Sequence, residues 1–89
     1  MNNKQVITLE DWMLFPEHGG KVCAVGLRDG KDWQTTSIVA QRIQNGVKEL
    51  RTSTGSIYHL GNQKPGPWPI NLQAKRPEIY QKFADAGFF

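Results

Sequence analysis

RIQNGVKELRTSTGSIYHLG, residues 42–61, is the stretch of this 89-residue sequence that best indicates its fold. Asn45-Gly46 is typical of a two-residue type I′ turn, because both central residues of that turn need a positive φ. Thr54-Gly55 supplies a second reversal before Ser56–Leu60, whose β-branched and aromatic residues favour a pleated strand. The stretch therefore predicts successive strands joined by tight turns.

Patterns outside this stretch extend the strand prediction along the chain. Val6–Leu9 is a short β-prone run, and Lys21–Arg28 carries apolar or small residues on both faces, as a central strand does. Asp29-Gly30 marks a hairpin turn into Trp33–Thr36. The segment Thr36–Ile43 allows a strand or a short helix, and we favour the strand because so short a helix is marginal.

The C-terminal third combines a proline-rich stretch with a helix signal. Three prolines lie around Trp68 in residues 62–76, and we expect this stretch to be an extended surface loop without a helix or a central strand. Pro77 suits the first position of a helix, and apolar residues recur on one face over residues 77–86. Gly87 is a natural residue to end that helix.

These patterns predict one mainly β (α+β) domain over residues 1–89. We expect about five or six short strands in a curved antiparallel sheet or small β-barrel, closed by one C-terminal helix at residues 77–86. A chain of this length buries about 60% of its unfolded surface and has room for one core. Its three Trp, four Phe and two Tyr side chains can fill such a core without disulfides or metal.

The distribution of apolar residues indicates the cellular compartment of the protein. No run approaches the ~20 apolar residues that span a bilayer, and the first residues lack the apolar region of a signal peptide. We therefore expect a cytoplasmic protein, or a nuclear one in a eukaryote, that binds no membrane. Cys23 is the one cysteine, so it has no partner for an internal disulfide, and its place in a predicted strand indicates the core.

The sequence contains no evident catalytic or metal-binding arrangement. His18 and His59 have no second His or Cys at the spacing of a metal site. Glu10 and Asp11 are adjacent, and adjacent residues on a strand point to opposite faces, so they are poorly placed as an acid/base pair. We therefore expect neither an enzyme nor a protein that binds a cofactor or a metal.

The net charge of +3 is unevenly distributed along the chain. Residues 34–76 hold six cations against one carboxylate, whereas residues 1–33 and 77–89 are each slightly acidic. The cations are interleaved with aromatic residues, and a basic groove with stacking aromatics is how small β-barrels bind single-stranded nucleic acid. The candidate residues for binding a partner or nucleic acid are Arg42, Lys48, Arg51, His59, Lys64, Trp68, Lys75 and Arg76.

The order of several short motifs resembles the SANTA (SANT-associated) domain over nearly the whole chain. The motifs are LEDW at residues 9–12, GKVCAVGLR from Gly20, TTSIVAQRI from Thr35, the Thr52–Gly61 run, and Phe83 with Gly87-Phe88. The matching positions are Asp11, Trp12, Gly26, Ser37, Ile38, Gly55, Tyr58, Leu60, Phe83, Gly87 and Phe88. The resemblance implies a role in protein interaction in complexes associated with centromeric chromatin, and it supplies no catalytic residues.

The favoured hypothesis is a non-catalytic interaction module that binds a protein partner, in a chromatin or nucleic-acid-associated complex. The contact region would centre on Trp68, which a Pro/Gly loop is expected to expose, with Lys64, Lys75 and Arg76 around it. Direct nucleic-acid binding through a basic face is one alternative, and a phage- or plasmid-encoded inhibitor of a host defence complex is another. A free strand edge at Lys48–Thr52 would also allow a homodimer.

Overall fold

A computed structural model describes residues 5–89, which form a six-stranded sheet followed by two helices. The elements in chain order are β1 (Val6–Pro16), a 3₁₀ turn (His18–Gly20), β2 (Val22–Arg28), β3 (Lys31–Gln34), β4 (Ile38–Gln44), β5 (Val47–Thr52), β6 (Ile57–Leu60), α1 (Trp68–Lys75) and α2 (Pro77–Asp85). The predicted mainly β fold class is confirmed. Residues 1–4, on which the expectation about a signal peptide partly rests, lie outside the described residues.

The sheet has the strand order β3-β2-β1-β6-β5-β4 and is open, so of the two predicted forms the chain adopts the sheet and not the barrel. Four strand pairs are antiparallel as predicted, but β1 and β6 are parallel. The reason lies in residues 35–37, through which β3 continues into β4 in the same direction. The last strand of the β4-β5-β6 meander therefore lies beside β1 and parallel to it.

Two hairpins have the turns that the sequence predicts. Asn45 (φ 54°) and Gly46 (φ 77°) join β4 to β5, while Asp29 (φ 52°) and Gly30 (φ 78°) join β2 to β3. Positive φ at both positions gives the type I′ turn, whose twist matches that of the flanking strands. The segment that allowed a strand or a helix is a strand from Ile38 onward, as favoured.

A bulge bends β1 at Asp11 (φ 48°), where the register with β2 shifts between Glu10 and Met13. Residues 6–9 of β1 pair with β6, whereas Glu10 and residues 13–16 pair with β2. Trp12 follows Asp11 directly and is fully buried. The bulge therefore lets one strand serve both halves of the sheet and directs a large aromatic side chain into the core.

Hydrogen bonds hold Trp12 to the segment that follows β6. Its indole Nε1–H donates to the carbonyl of Gly61 (3.1 Å), and its backbone N–H donates to that of Asn62 (3.3 Å). The backbone N–H of Lys64 in turn donates to the Trp12 carbonyl (2.8 Å). These bonds fix the path by which the chain leaves the sheet and enters α1.

Helix α1 lies within the stretch that was expected to be a loop, and it corrects that expectation. Pro67 precedes the helix and Pro69 lies in its first turn, where no backbone N–H is needed for a helical hydrogen bond. The prolines therefore begin a helix here. Trp68 is 8% exposed and donates its indole N–H to the Lys64 carbonyl (2.7 Å), so its predicted exposure was also wrong.

Helix α2 agrees with the predicted C-terminal helix to within one residue. Gly87 (φ 92°) ends it as expected, with its N–H donating to the carbonyl of Ala84 (3.0 Å). The N–H of Phe88 donates to the carbonyl of Phe83 (2.9 Å), and the two rings meet edge to face at 5.3 Å. This pair of bonds and its hydrophobic contact are typical of a glycine-terminated helix, and they fold the chain end back onto the core.

One hydrophobic core lies between the inner face of the sheet and the helices. The ring of Trp12 is central to it and meets Trp68 (5.6 Å between centroids) and Phe88 (6.3 Å), both edge to face. The buried residues are Leu9, Trp12, Leu14, Val22, Ala24, Ile38, Leu50, Tyr58 and Leu60 from the sheet and Trp68, Leu72, Ile79, Phe83 and Phe88 from the C-terminal part. The helices therefore depend on the same core as the sheet.

Gly26 on β2 faces the β1 bulge at close range. A Cβ added there would lie 2.6 Å from the carbonyl oxygen of Glu10 and 3.1 Å from the Cα of Trp12. Both are backbone atoms that cannot rotate away, so we expect Gly26→Ala to lower the free energy of unfolding by about 1–3 kcal/mol. Urea denaturation followed by tryptophan fluorescence measures this loss.

Gly30→Asn is the control for that variant, because a Cβ at Gly30 meets nothing within 4 Å and Asn tolerates the positive φ of the turn. We expect it to change the stability by less than Gly26→Ala does. Equal stability of Gly26→Ala and the wild type would contradict the close approach of β1 and β2.

Candidate partner-binding surface

The six cations that the sequence analysis grouped together do not share one face of the sheet. The β4–β5 register puts Arg42 and Arg51 on the outer face, away from the core. Lys48 lies three residues before Arg51 in β5, so its side chain is on the opposite face of the sheet. This is the inner face, where Leu50 is buried. The Nζ of Lys48 lies 5.9 Å from the centroid of the Trp12 ring. The β4–β5 hairpin therefore divides its cations between two faces.

The cations expected around Trp68 lie in the segment after β6 and at the end of α1. Lys64 is anchored through its backbone at Trp12, and Lys75 is exposed in the last turn of α1. The Nε of Arg76 donates to Oε2 of Glu78 (2.8 Å). Because Trp68 is buried, it is not the exposed anchor that the sequence analysis expected in this region.

The aromatic residues that lie among or next to these cations in the sequence are engaged within the fold. Tyr58 and Trp68 are both buried. Trp33 is 37% exposed, but it lies on β3, at the opposite end of the strand order from β4. The guanidinium of Arg28 lies 4.6 Å from the centroid of the Trp33 ring. The indole N–H of Trp33 donates to the Tyr58 hydroxyl (2.9 Å). These rings therefore form no stacking platform beside the cations.

Glu49 joins Arg42 and His59 in a row across the outer face of β4, β5 and β6. The Nε of Arg42 donates to Glu49 Oε2 (2.9 Å), and Nε2 of His59 lies 3.0 Å from Oε1. The hydrogen bond with His59, and after it the bond and charge of Arg42, lower the pKa of the Glu49 carboxyl. His59 thus faces away from its buried neighbours Tyr58 and Leu60 and contacts a carboxylate.

The free edges of the sheet are β3 and β4, and the prediction of an edge at Lys48–Thr52 was wrong. That segment lies in β5, which pairs with β4 on one side and with β6 on the other. Within residues 5–89 no strand pairs with the outer side of β3 or of β4. Any strand pairing between molecules must therefore use one of these two strands.

The two edges differ in how well they resist pairing. β3 has four residues, KDWQ, two of which are charged. β4 has seven residues, IVAQRIQ, with Arg42 as its one charged residue and no proline. Short, charged edges resist strand addition, whereas long edges with few charges accept it. Val39 (60% exposed) and Ile43 (40% exposed) add apolar surface to β4. We call the outer side of Ile38–Gln44 the β4 edge.

The open backbone groups of the β4 edge belong to alternate residues. In a two-residue hairpin the residues that flank the turn, here Gln44 and Val47, form a hydrogen-bonded pair. Arg42, two residues away, then also directs its N–H and C=O toward β5. Gln41 and Ile43 direct theirs away from β5, where an added strand would bind them.

A groove of about 620 Å³ lies at the other end of the sheet, on β1, β2 and β3. Its lining mixes charges of both signs with apolar side chains, and includes Asp11, Met13, Val25, Leu27, Asp32, Trp33 and Lys64. Among residues 5–89 no group of three or more His, Cys, Asp or Glu side chains is placed to hold a metal ion.

Two further expectations from composition concern Cys23 and the membrane. Cys23 is fully buried in β2, as predicted. Burial raises the pKa of its thiol, and the charge of Glu17 raises it further, so the thiol is a poor nucleophile. Of the helices in residues 5–89, none has the length and apolar character needed to cross a membrane.

None of the protein-family models, curated proteins or solved structures compared with this chain matches it. The resemblance to the SANTA domain therefore stays a prediction. Several of its matching positions serve the fold: Trp12, Tyr58 and Phe83 are buried, and Gly87 has a left-handed conformation.

The sequence analysis did not select the residues of the β4 edge. Val39, Gln41 and Ile43 were not among the candidates, because they are neither cationic nor aromatic. The feature that indicates this edge is the absence of groups that prevent strand pairing: the seven residues IVAQRIQ contain one charge and no Pro or Gly. That absence becomes informative only when β4 is known to be an edge strand.

The lowered pKa of Glu49 predicts a pH-dependent contribution to stability. This contribution is complete above the unfolded carboxyl pKa of about 4.3 and is lost as the pH falls through the lower folded-state pKa. We expect Glu49→Gln to lower the free energy of unfolding by about 0.5 kcal/mol at neutral pH, as for a surface ion pair, and by less in acid. Urea denaturation at neutral and acidic pH measures the difference.

His59→Gln and the double variant complete a double-mutant cycle for this prediction. The cycle separates the contact between Glu49 and His59 from the other effects of each substitution. A Glu49→Gln variant as stable as the wild type at neutral pH would contradict the contacts of Glu49 with Arg42 and His59.

Proposed function

We propose that this protein is a non-catalytic binding module that holds an extended segment of a partner protein against the β4 edge. The observation that carries the proposal is that β4 is a seven-residue edge strand with one charge and with exposed apolar side chains. Strand addition to such an edge is a common mode of peptide recognition, in which backbone hydrogen bonds supply affinity.

The β4 edge is already shaped for this role in the free protein. β5 pairs with β4 without interruption from Ala40 to Gln44, after a register shift at Val39, and is itself paired with β6, so this part of the edge is backed by the sheet. The type I′ turn at Asn45-Gly46 fixes the register of the hairpin. A preformed edge loses little conformational freedom when a peptide binds, and this favours affinity.

β3, the other edge of the sheet, is a less favourable site for strand addition. β3 offers four residues, and Lys31 and Asp32 place charges along it. The arrangement is one that proteins use to prevent edge-to-edge pairing. The contrast between the two edges of one sheet supports strand addition at β4.

Direct nucleic-acid binding and inhibition of a host defence complex remain the alternative predictions. A protein partner is favoured over nucleic acid because the cations lie on separate faces and their aromatic neighbours are engaged within the fold. The chromatin setting rests on the resemblance to the SANTA domain alone.

The test is selection of a displayed library of random linear peptides on the protein, followed by affinity measurement with a pair of proline variants. Gln41→Pro removes an N–H from the open side of β4, and an edge strand tolerates proline there because the ladder to β5 is unaffected. Asp32→Pro is the matched control, since Asp32 faces the open side of β3 by the same register argument. We expect selected peptides to bind the wild type and Asp32→Pro, and to bind Gln41→Pro at least about tenfold more weakly.

A second variant covers the case in which Gln41→Pro does not fold. The double substitution Val39→Lys and Ile43→Lys places two positive charges on the edge and should also prevent strand addition. Circular dichroism and thermal unfolding identify the variants that are folded. Selected peptides that bind a folded β4 variant as tightly as the wild type would overturn the proposal.

A further inference from the structure

The chemistry of the partner segment can be inferred from the side chains beside the β4 edge, and this inference rests on the proposed function. In the β4–β5 ladder Arg42 pairs with Glu49, and Ala40 pairs with Arg51. All four side chains lie on the outer face. A hollow of about 210 Å³ lies among them and is lined by Ala40, Gln41, Arg42, Glu49 and Arg51. Because Ala40 has a small side chain, Arg51 on β5 remains accessible from the side of β4.

The charge of this hollow is positive. Both carboxylate oxygens of Glu49 are engaged, one by Arg42 and the other by His59. Within residues 5–89 Arg51 has no ion-pair partner, and it is exposed. The Arg42 side chain is 60% exposed while its Nε binds Glu49, so the other guanidinium N–H groups can donate to a second acceptor. A carboxylate placed in this hollow can therefore accept hydrogen bonds from the arginines that line it.

The inner side of the same edge carries Gln41 and Ile43, and Ile43 pairs with Lys48 of β5. Ile43 lies on the inner face and is 40% exposed, and one of its methyl groups approaches the backbone of Gly87. Side chains of an added strand alternate between the two faces of the sheet. A strand bound along β4 would therefore present alternate residues to the arginines and to Ile43.

We propose that the segment bound at the β4 edge is acidic, with carboxylates alternating with apolar residues, and that one carboxylate binds between Arg42 and Arg51. The apolar residues pack beside Ile43. A second copy of this chain is a poor occupant, because antiparallel pairing of two β4 edges would bring Arg42 and Arg51 of both molecules to one face. Charge complementarity thus selects an acidic partner over self-association.

Fluorescence anisotropy with three short labelled peptides of blocked ends tests the proposal. The first alternates glutamate and valine, the second alternates lysine and valine, and the third has the composition of the first with its glutamates and valines in separate blocks. We expect the alternating acidic peptide to bind the wild type at least about tenfold more tightly than either of the others. The block peptide separates the alternating pattern from charge alone.

Arg51→Gln is the variant for this test and Lys82→Gln is its control. Both remove one positive charge, but Lys82 lies on α2 and is exposed there. We expect Arg51→Gln to weaken binding of the alternating acidic peptide by about tenfold, as for loss of a charge-assisted hydrogen bond, and Lys82→Gln to leave it unchanged. Equal effects of the two variants would show that net charge alone is responsible, and would overturn the proposal.

The outcomes separate this inference from the proposed function. If library peptides bind in a way that depends on Gln41 but the alternating acidic peptide does not bind, the acidic partner is wrong and strand addition stands. If the acidic peptide binds equally well to folded Gln41→Pro, it binds away from the β4 edge and the inference is overturned. If no library peptide depends on Gln41, both proposals fail.

Discussion

The β1 bulge at Asp11 and Trp12 is the constraint on which the rest of the structure depends. It turns one strand so that its first part pairs with β6 and its last part with β2. It also directs Trp12 into the core, where the side chain contacts Trp68 and Phe88 and bonds to the segment after β6. Gly26 makes room for this bend, because a side chain there would meet the β1 backbone. The sheet, the path of residues 61–67 and the position of both helices follow from one local distortion.

The topology of the sheet explains why it has edges. β1 occupies the middle of the sheet and β3 continues into β4 through residues 35–37, so the two outermost strands are neighbours in the chain and do not pair with each other. β3 is short and charged, whereas β4 is longer and has one charge. Closure would have hidden both edges; an open sheet leaves β4 available to a partner. The proposed function thus rests on the topology of the sheet, and the proposed acidic partner rests on the arginines beside the edge.

Local features of this fold could be predicted from the sequence, and features set by distant contacts could not. The turns at Asn45-Gly46 and Asp29-Gly30 and the helix end at Gly87 depend on a few adjacent residues, and all three were predicted. α1 was missed because proline stops a helix or begins one according to its position, and the contact of Trp68 with Trp12 decides that position here. The parallel pairing of β1 with β6 and the identity of the edge strand depend on pairings between remote segments. The candidate cations were identifiable by composition, but their division between faces required the β4–β5 register.

Residue-resolved amide hydrogen exchange of the dilute free protein, measured by NMR, tests the central claim most directly. The account predicts alternation along β4, with slow exchange at Arg42 and Gln44, which bond to β5, and fast exchange at Gln41 and Ile43, which face the open side. Slow exchange at all four amides would contradict an available edge. Fast exchange at all four would contradict the β4–β5 ladder that supports it.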